Sequence, residues 1–591
     1  MLPPDGRAIL VELLRPPPGA ELVRGIATTF TLDMTSALAA PLAFASHRLG
    51  GGKDPVAIMQ AINMASDHLD IFCQAGQMTV PSGASDLMGF LEKMVHPVRS
   101  PHAGGLFHPK IWLLEFSDGD ETSFRFLCAS RNLTGDRSWD VVVRLDDTRG
   151  PRALASNNPL RVLTRNLPTW AIQPLPAVRT TRIHELAESI RHAQWEHPEH
   201  VRDVIFHALG VGRRRSTLDF AGTRHLVISP FATDDGLQRV APDGTRSVQV
   251  VSRIEDLERL DPDTLNRLSA SYVIDDFAAL EQTDDTAAGD KDYLVGLHAK
   301  AYVIERGHAA HLLLGSANAT SAAFDGNIEF LIELVGTKSK LGIETFLGDQ
   351  APFRQMLLDY EAVGGQQPSD DEDADRELEE ALRAAAMLGF KAAARPEGET
   401  HTMRVSCTDP LSLDEGMTAT LELLTRPGDA VHLQTKVDVT FTDLGMVDIT
   451  PFLVLRLTDA RGVTRGTVVH AGLTGDPPGR LDELLARQVD TPEKFLRFLA
   501  LLLAIGGSGD KTGLLGAGAE AGGGSWNAGQ CGVFETLVRA LGAPTSALND
   551  IAPLVDRLRR SDTGRQVLPE GFDGLWDLVW AAHRQLAKRA S

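Results

Sequence analysis

The chain has 591 residues, 43% of them hydrophobic, and a formal net charge of −21 from 79 acidic against 58 basic side chains. That length is enough for several domains, and the composition is that of a soluble globular protein. The acidic balance excludes a protein that coats DNA through its overall charge, but not one with a locally basic cleft.

Residues 1–20 lack a basic start followed by an apolar core, so no secretory signal is read there. The strongest apolar run, 495–507, is too short for a membrane span and is interrupted by Arg497. Cys73, Cys128, Cys407 and Cys531 are far apart, and Cys73 and Cys128 fall in apolar strands, as buried free thiols do. No metal-ligand spacing appears. These features predict a cytoplasmic protein with no membrane association, no metal and no cofactor.

In chain order, residues 55–76 read as a helix and then a buried strand. "LFHPKIWLLEF" carries His108 and Lys110, two apart, so on a strand they share a face. The polar turn 117–123 and the strand "SFRFLCAS" follow, running into Ser130 and Asn132. The same series returns downstream. "HLVISPF" reads as a strand, the next residues as a helix, and "SVQVVSR" as a further strand. "GLHAKAYVIE" then carries His298 and Lys300, with the turn 306–310 and "AHLLLGS" leading to Ser316 and Asn318. Glu115 and Glu305 each stand five positions after the lysine. The β/α alternation implies mixed sheets covered by helices.

Each copy brings an imidazole, an ammonium and an amide. Histidine can serve as nucleophile, acid or base near neutral pH, while lysine and asparagine donate to anionic oxygens. Facing each other, two copies could attack a phosphodiester, hold its oxygens and protonate the leaving group without a metal.

The repeat resembles the phospholipase D superfamily, whose signature is H-x-K-x4-D followed by G-S-x-N. The second copy is close, with Gly315 before Ser316 and an Asn-x-Glu at Asn327-Ile328-Glu329, an ending similar to the nuclease-like branch. The first is looser, with Ala129 for glycine and Asp140 as the nearest acid; both have Glu where Asp is usual. The resemblance covers roughly residues 20–345 and implies a monomeric active site at a pseudo-twofold interface. It also implies roles. His108 is the nucleophile and His298 the acid and base, an assignment that could be reversed. Lys110, Lys300, Asn132 and Asn318 hold the non-bridging oxygens. Glu329 and Asp140 orient the imidazoles, and Ser130, Ser316, Glu115 and Glu305 support.

Beyond the repeat, 364–380 is an acidic linker turning into a helix. It reads as a solvated boundary, with docking over a basic cleft as the alternative. Residues from about 400 to 475 alternate like a small antiparallel β-sandwich. From about 480 the periodicity is helical, with Thr491 before Pro492 as an N-cap and Trp576 and Trp580 on one face as core. "GGSGDKT" lacks the glycine a phosphate-binding loop needs before Lys511, so no nucleotide site is read. Basic groups occur at Arg179 and Arg182 and at Arg213, Arg214 and Arg215; the last three, between the two lobes' motifs, read as a solvated interdomain loop or a phosphate-contacting edge.

The expected fold is therefore multi-domain. An α/β phospholipase D-like double lobe of mixed sheets flanked by helices (1–175 and 176–360) precedes an acidic linker and helix (361–395). A β-sandwich-like module (396–478) and a C-terminal α-helical domain (479–591) follow. The expected function is a metal-independent phosphodiesterase, a nuclease cleaving DNA, or else RNA, through a phosphohistidine. By analogy with nuclease relatives, it would serve bacterial antiviral defence or restriction beside an ATPase or helicase partner. A homo-oligomer is compatible with this but not required for the site. A lipid phosphodiesterase and an inactive nucleic-acid-binding or assembly scaffold stay open as alternatives.

Overall fold

The structure is a computed structural model. It describes residues 10–45, 65–81, 86–119, 121–135, 138–150, 152–212, 218–275, 296–480 and 572–590, with isolated residues between 483 and 569. Arg213 to Arg215, Cys531, the 506–526 loop, the helix expected over 55–64 and most of the helical tail lie outside the described residues.

Two mixed sheets form the centre. The first contains β1 (Glu21–Thr29), β2 (Leu69–Gln74), β3 (Val95–Val98), β4 (Ile111–Ser117), β5 (Thr122–Ala129), β6 (Val142–Arg149) and β7 (Ala193–Trp195), in the order β3-β2-β1-β4-β5-β6-β7. The second contains β8 (Val201–Leu209), β9 (Arg224–Ile228), β10 (Ser247–Val251), β11 (Ala270–Ile274), β12 (Ala301–Arg306), β13 (Ala309–Gly315), β14 (Glu329–Thr337) and β15 (Leu357–Asp359). Its order is β8-β14-β13-β12-β9-β10-β11-β15. Each has a run of three parallel strands, β1 to β3 at the edge of the first sheet and β9 to β11 in the second, where antiparallel β15 adds the edge. Each then continues through an antiparallel hairpin and a third antiparallel strand, β4 to β6 and β12 to β14. The parallel strand β2 is buried along its whole length, as a strand covered on both faces must be.

The repeat extends to register. Arg24 on β1 faces Glu115 on β4, and Arg224 on β9 faces Glu305 on β12. Arg24 Nε donates to Glu115 at 2.5 Å. Glu305, fully buried, accepts from the Ile343 amide at 3.1 Å and pairs with Lys338 at 2.7 Å and Arg224 at 3.5 Å. The two glutamates thus neutralise cross-strand arginines. They do not support the histidines, which corrects the role expected for them. Glutamate serves here because its acceptor must reach a guanidinium on the next strand.

The sheets pack on one shared core. Phe126 from the first lobe lies against Phe206 and Phe330 from the second, with centroids 5.2 and 5.6 Å apart. The first sheet takes β7 from beyond residue 175, so that lobe runs to Trp195. Helix Ala177–Ser189 belongs with it, because Arg179 is buried on Asp70 at 2.8 Å and donates to the Ser66 carbonyl. Arg182 donates to the Asp67 carbonyl. These arginines tie the helix to the first lobe.

The acidic run 370–375 opens helix Asp370–Ala386, where Ser369 and Glu372 form a capping box. Carboxylates in a first turn also suit the helix dipole. They pair with Arg259, Arg461 and Arg465, outside the candidate site, and Leu378 and Leu382 enter the next core. That core lies between two four-stranded sheets spanning Lys391–Thr474, whose first strand starts inside the range expected to be linker and helix. In the tail helix Phe572–Ala590, Trp576 is buried and stacks on Trp580 at 5.8 Å.

Candidate active site

The expected His-x-Lys strands begin three residues later than the histidines, at Ile111 and Ala301. His108 and Lys110, like His298 and Lys300, sit on extended lead-ins paired with the opposite lobe. The His108 amide donates to the Ile328 carbonyl at 2.9 Å, and the Ile328 amide to Leu106 at 2.8 Å. Reciprocally, the His298 amide donates to Trp139 at 2.9 Å, and the Trp139 amide to Gly296 at 3.0 Å. The home sheet cannot supply these partners, because each lead-in has already crossed the interface.

This crossing brings each imidazole to a carboxylate of the other lobe. His108 Nδ1 is 2.9 Å from Glu329 Oε2, and His298 Nδ1 is 2.9 Å from Asp140 Oδ1. A carboxylate at Nδ1 keeps the proton on that nitrogen and leaves the Nε2 lone pair for chemistry. Neither Nε2 makes a hydrogen bond among the described residues. The carboxylates are themselves held. Ser130 Oγ donates to Asp140 at 3.0 Å and Ser316 Oγ to Glu329. Each serine also accepts an amide at 2.9 Å, from Val141 or Phe330. Asn327 Nδ2 reaches Glu329 at 3.3 Å, and Ser138 Oγ takes the matching place on Asp140 at 3.1 Å. Asp140 is therefore the first-lobe counterpart of Glu329, and Ser-Trp-Asp replaces Asn-Ile-Glu.

The lysines are almost fully buried, at 2% exposure for Lys110 and 1% for Lys300. Each donates to the carbonyl of its own histidine, at 3.0 and 2.7 Å. Burial foremost, and for Lys110 the nearby Lys300 charge, pulls both well below the ordinary lysine range, Lys300 to about 7. His108 is pushed down to about 4, chiefly by burial and then by the lysines, against the pull of Glu329. His298 is also lowered by burial, with Asp140 opposing. Glu329 is fully buried, which alone would raise its pKa; His108, Lys110 and the Ser316 hydroxyl outweigh that and hold it low. Asn132 and Asn318 occupy equivalent turns, and each has a buried Oδ1 with no partner among the described residues.

These values carry an expectation about pH. Lys300 loses its charge as pH rises through about 7, so affinity for a non-cleavable phosphodiester should fall there. An ordinary lysine would keep it level to roughly pH 10. Titrating the dissociation constant from about pH 6 to 9 checks this; a flat profile would show that Lys300 stays charged.

The structure brings His108, Lys110, Asp140, His298, Lys300 and Glu329 together at the lobe interface, with Asn132 and Asn318 on the turns after the hairpins, while Glu115 and Glu305 lie on cross-strand arginines. Gly315 has a local reason: a Cβ there would lie 2.2 Å from the Phe330 carbonyl oxygen. Sequence reasoning missed Ser138, whose only signal was its place two residues before Asp140. It also missed Phe30, whose ring meets His108 edge-on at 5.0 Å.

No protein-family model matches the sequence, and no curated protein matches it. Among solved structures, yeast tyrosyl-DNA phosphodiesterase aligns with a TM-score of 0.33 at 11% identity, over 56% of this chain and 85% of that one. Phosphatidylserine synthase of Haemophilus influenzae Rd KW20 aligns with a TM-score of 0.32 at 10% identity, over 64% and 92%. At scores of this size the likeness is distant, and the weight lies with the site itself. In its doubled His-x-Lys and Ser-x-Asn motif, the chain resembles the phospholipase D superfamily.

Proposed function

We propose that the protein is a phosphodiesterase working through a phosphohistidine without a metal, and that its substrate is a nucleic acid, DNA in preference to RNA. One observation carries the reading: two imidazoles, each held at Nδ1 by the other lobe's carboxylate, present free Nε2 atoms beside two buried lysines.

In the first step His108 Nε2 forms a bond to phosphorus as the bond to the leaving oxygen breaks. His298, entering protonated, gives its Nε2 proton to that oxygen. In the second, His298 Nε2 takes a proton from water as the water oxygen bonds to phosphorus and the N–P bond breaks, restoring His108. Lys110 and Lys300 neutralise charge on the non-bridging oxygens, with the amides of Asn132 and Asn318. The low pKa of His108 favours the neutral nucleophile, and this supports the expected division of roles. An arriving phosphodiester anion would raise the His298 pKa toward the protonated form that the first step needs.

A nucleic acid is preferred to a lipid because the Asn327-Ile328-Glu329 ending is similar to that of the nuclease-like branch. The free thiols of Cys73, Cys128 and Cys407 suit a cytoplasmic setting. Service in bacterial defence beside an ATPase or helicase belongs to the same proposal. The test is incubation of purified protein with labelled DNA and RNA in EDTA. Cleavage should persist in chelator and vanish in a His108→Ala, His298→Ala double variant. Turnover of phosphatidylcholine with every nucleic acid left intact would refute the nuclease reading.

A further inference from the structure

The two lobes are equivalent in frame but not at the mouth of the cleft. Register makes Thr28 opposite Phe72 equivalent to Ile228 opposite Val251. Two residues past those strand positions stand Gln74 and Arg253. Both brace the residue ahead of a catalytic histidine. Gln74, buried and neutral, accepts from the Phe107 amide at 2.7 Å. Arg253, partly exposed and cationic, donates to the Leu297 carbonyl at 3.0 and 3.2 Å.

A second pair of equivalent positions differs too. Thr29 Oγ1 donates to the Thr31 carbonyl, and Ser229 Oγ to the Phe231 carbonyl, both at 2.7 Å. The same serine takes the Ala319 amide at 3.0 Å, and Ala232 bridges Ala319, so the Phe231 loop is clamped beside Asn318. Where the first lobe has Thr31, the second has a phenylalanine that is 42% exposed, the only exposed aromatic side chain among the described residues. The Arg253 guanidinium lies 4.8 Å from its ring centroid. An aromatic face left in water beside a site, with its orientation set by a cation and a locked loop, has little structural reason to be there. It suits a planar ligand.

We propose that Phe231 and Arg253 form a subsite on the His298 side of the cleft that stacks one unpaired nucleobase and holds the adjoining phosphate of a single-stranded nucleic acid. The inference rests on the nuclease reading and deepens it. A base within a duplex is already stacked on its neighbours and cannot offer its face to Phe231, so the subsite selects single strands, ends or flaps. With His298 as the acid, the stacked nucleotide belongs to the leaving strand. The first lobe, with Thr31 and Gln74 in the equivalent places, puts no such demand on the strand that becomes attached to His108.

The test is binding to the uncleaving His108→Ala protein. The probes are fluorescent oligothymidylate, oligouridylate, an oligothymidylate whose bases are removed, and a blunt duplex. Phe231→Ala should weaken the two base-bearing single strands about tenfold or more and leave the abasic strand and the duplex unchanged. Phe231→Tyr should restore binding, which a purely structural role for the ring would not explain. Comparable losses on both strands mean a shared base platform; a loss on only one assigns the subsite to DNA or to RNA. Arg253→Gln, the residue the first lobe uses, should lower the salt dependence of single-strand binding by about 0.7 in the log–log slope. Equal loss on single strands and duplex, or no loss on any probe, overturns the subsite while leaving the nuclease reading intact. Absence of nucleic-acid binding by the parent protein, with phosphatidylcholine still turned over by the wild type, overturns both.

Discussion

His298→Ala should yield a protein that traps itself. With a p-nitrophenyl ester of thymidylate the leaving group needs no proton, so His108 can still displace it. The second step then stalls because nothing activates water. The expected result is a burst of one equivalent of nitrophenolate and a stable phosphoryl adduct on His108. Steady-state turnover should fall by three orders of magnitude or more, roughly the loss seen when a nucleophile–base unit is broken. His108→Ala should show neither burst nor adduct. Mass spectrometry of the trapped protein reads the position directly. An adduct on His298 in the His108→Ala protein would reverse the roles, and unchanged turnover in either variant would remove the histidines from the mechanism. The geometry favours the first outcome because His108 is the more deeply set imidazole of the two, beside Phe30 and held by the fully buried Glu329.

The second large effect concerns the carboxylates. Glu329→Gln leaves the shape of the site but replaces the acceptor at His108 Nδ1 with an amide that can turn its donor toward the ring. The wrong tautomer then presents an N–H at Nε2 where a lone pair is needed. A change of this kind costs on the order of 10³ to 10⁴ in turnover. Asp140→Asn should cost a similar amount with an alkoxide leaving group, through His298. The nitrophenyl ester separates them: its first step should be rescued in Asp140→Asn but not in Glu329→Gln. Rescue in the opposite variant would place the acid in the other half of the site. Both variants should keep the wild-type melting temperature to within a few degrees. Cross-lobe backbone pairing, not the carboxylate alone, holds the lead-ins.

The hairpins, their turns and the Ser-x-Asn exits were legible because alternation and turn residues act locally. So was the pairing of Glu329 with a histidine, through its Asn-x-Glu ending. Asp140 could only be nominated, since Ser138-Trp139-Asp140 has no pattern of its own; its role comes from Trp139 pairing with Gly296 and His298. Glu115 and Glu305 were misplaced because spacing along a strand does not reveal what lies across it. Arg24 and Arg224 are more than eighty positions away in sequence. The same holds for Arg179, whose burial on Asp70 depends on a helix from a later part of the chain docking on β2. What sequence conveys here is the local element; partners brought in by tertiary contact stay hidden unless a motif marks them, as Asn-x-Glu marks Glu329.

The cross-lobe pairs have a consequence for synthesis of the protein. His108 waits for a carboxylate 221 residues downstream, and His298 for one 158 residues upstream. Neither half can hold a correctly oriented imidazole alone, and pairing across such sequence separation is slow because loop closure comes before the contact rewards it. A nascent chain would therefore be silent until Glu329 has cleared the ribosome and the lobes have closed on Phe126 and Phe330. If the proposed nuclease reading holds, the enzyme is made beside its own messenger in an inert form and armed only when the two lobes pair.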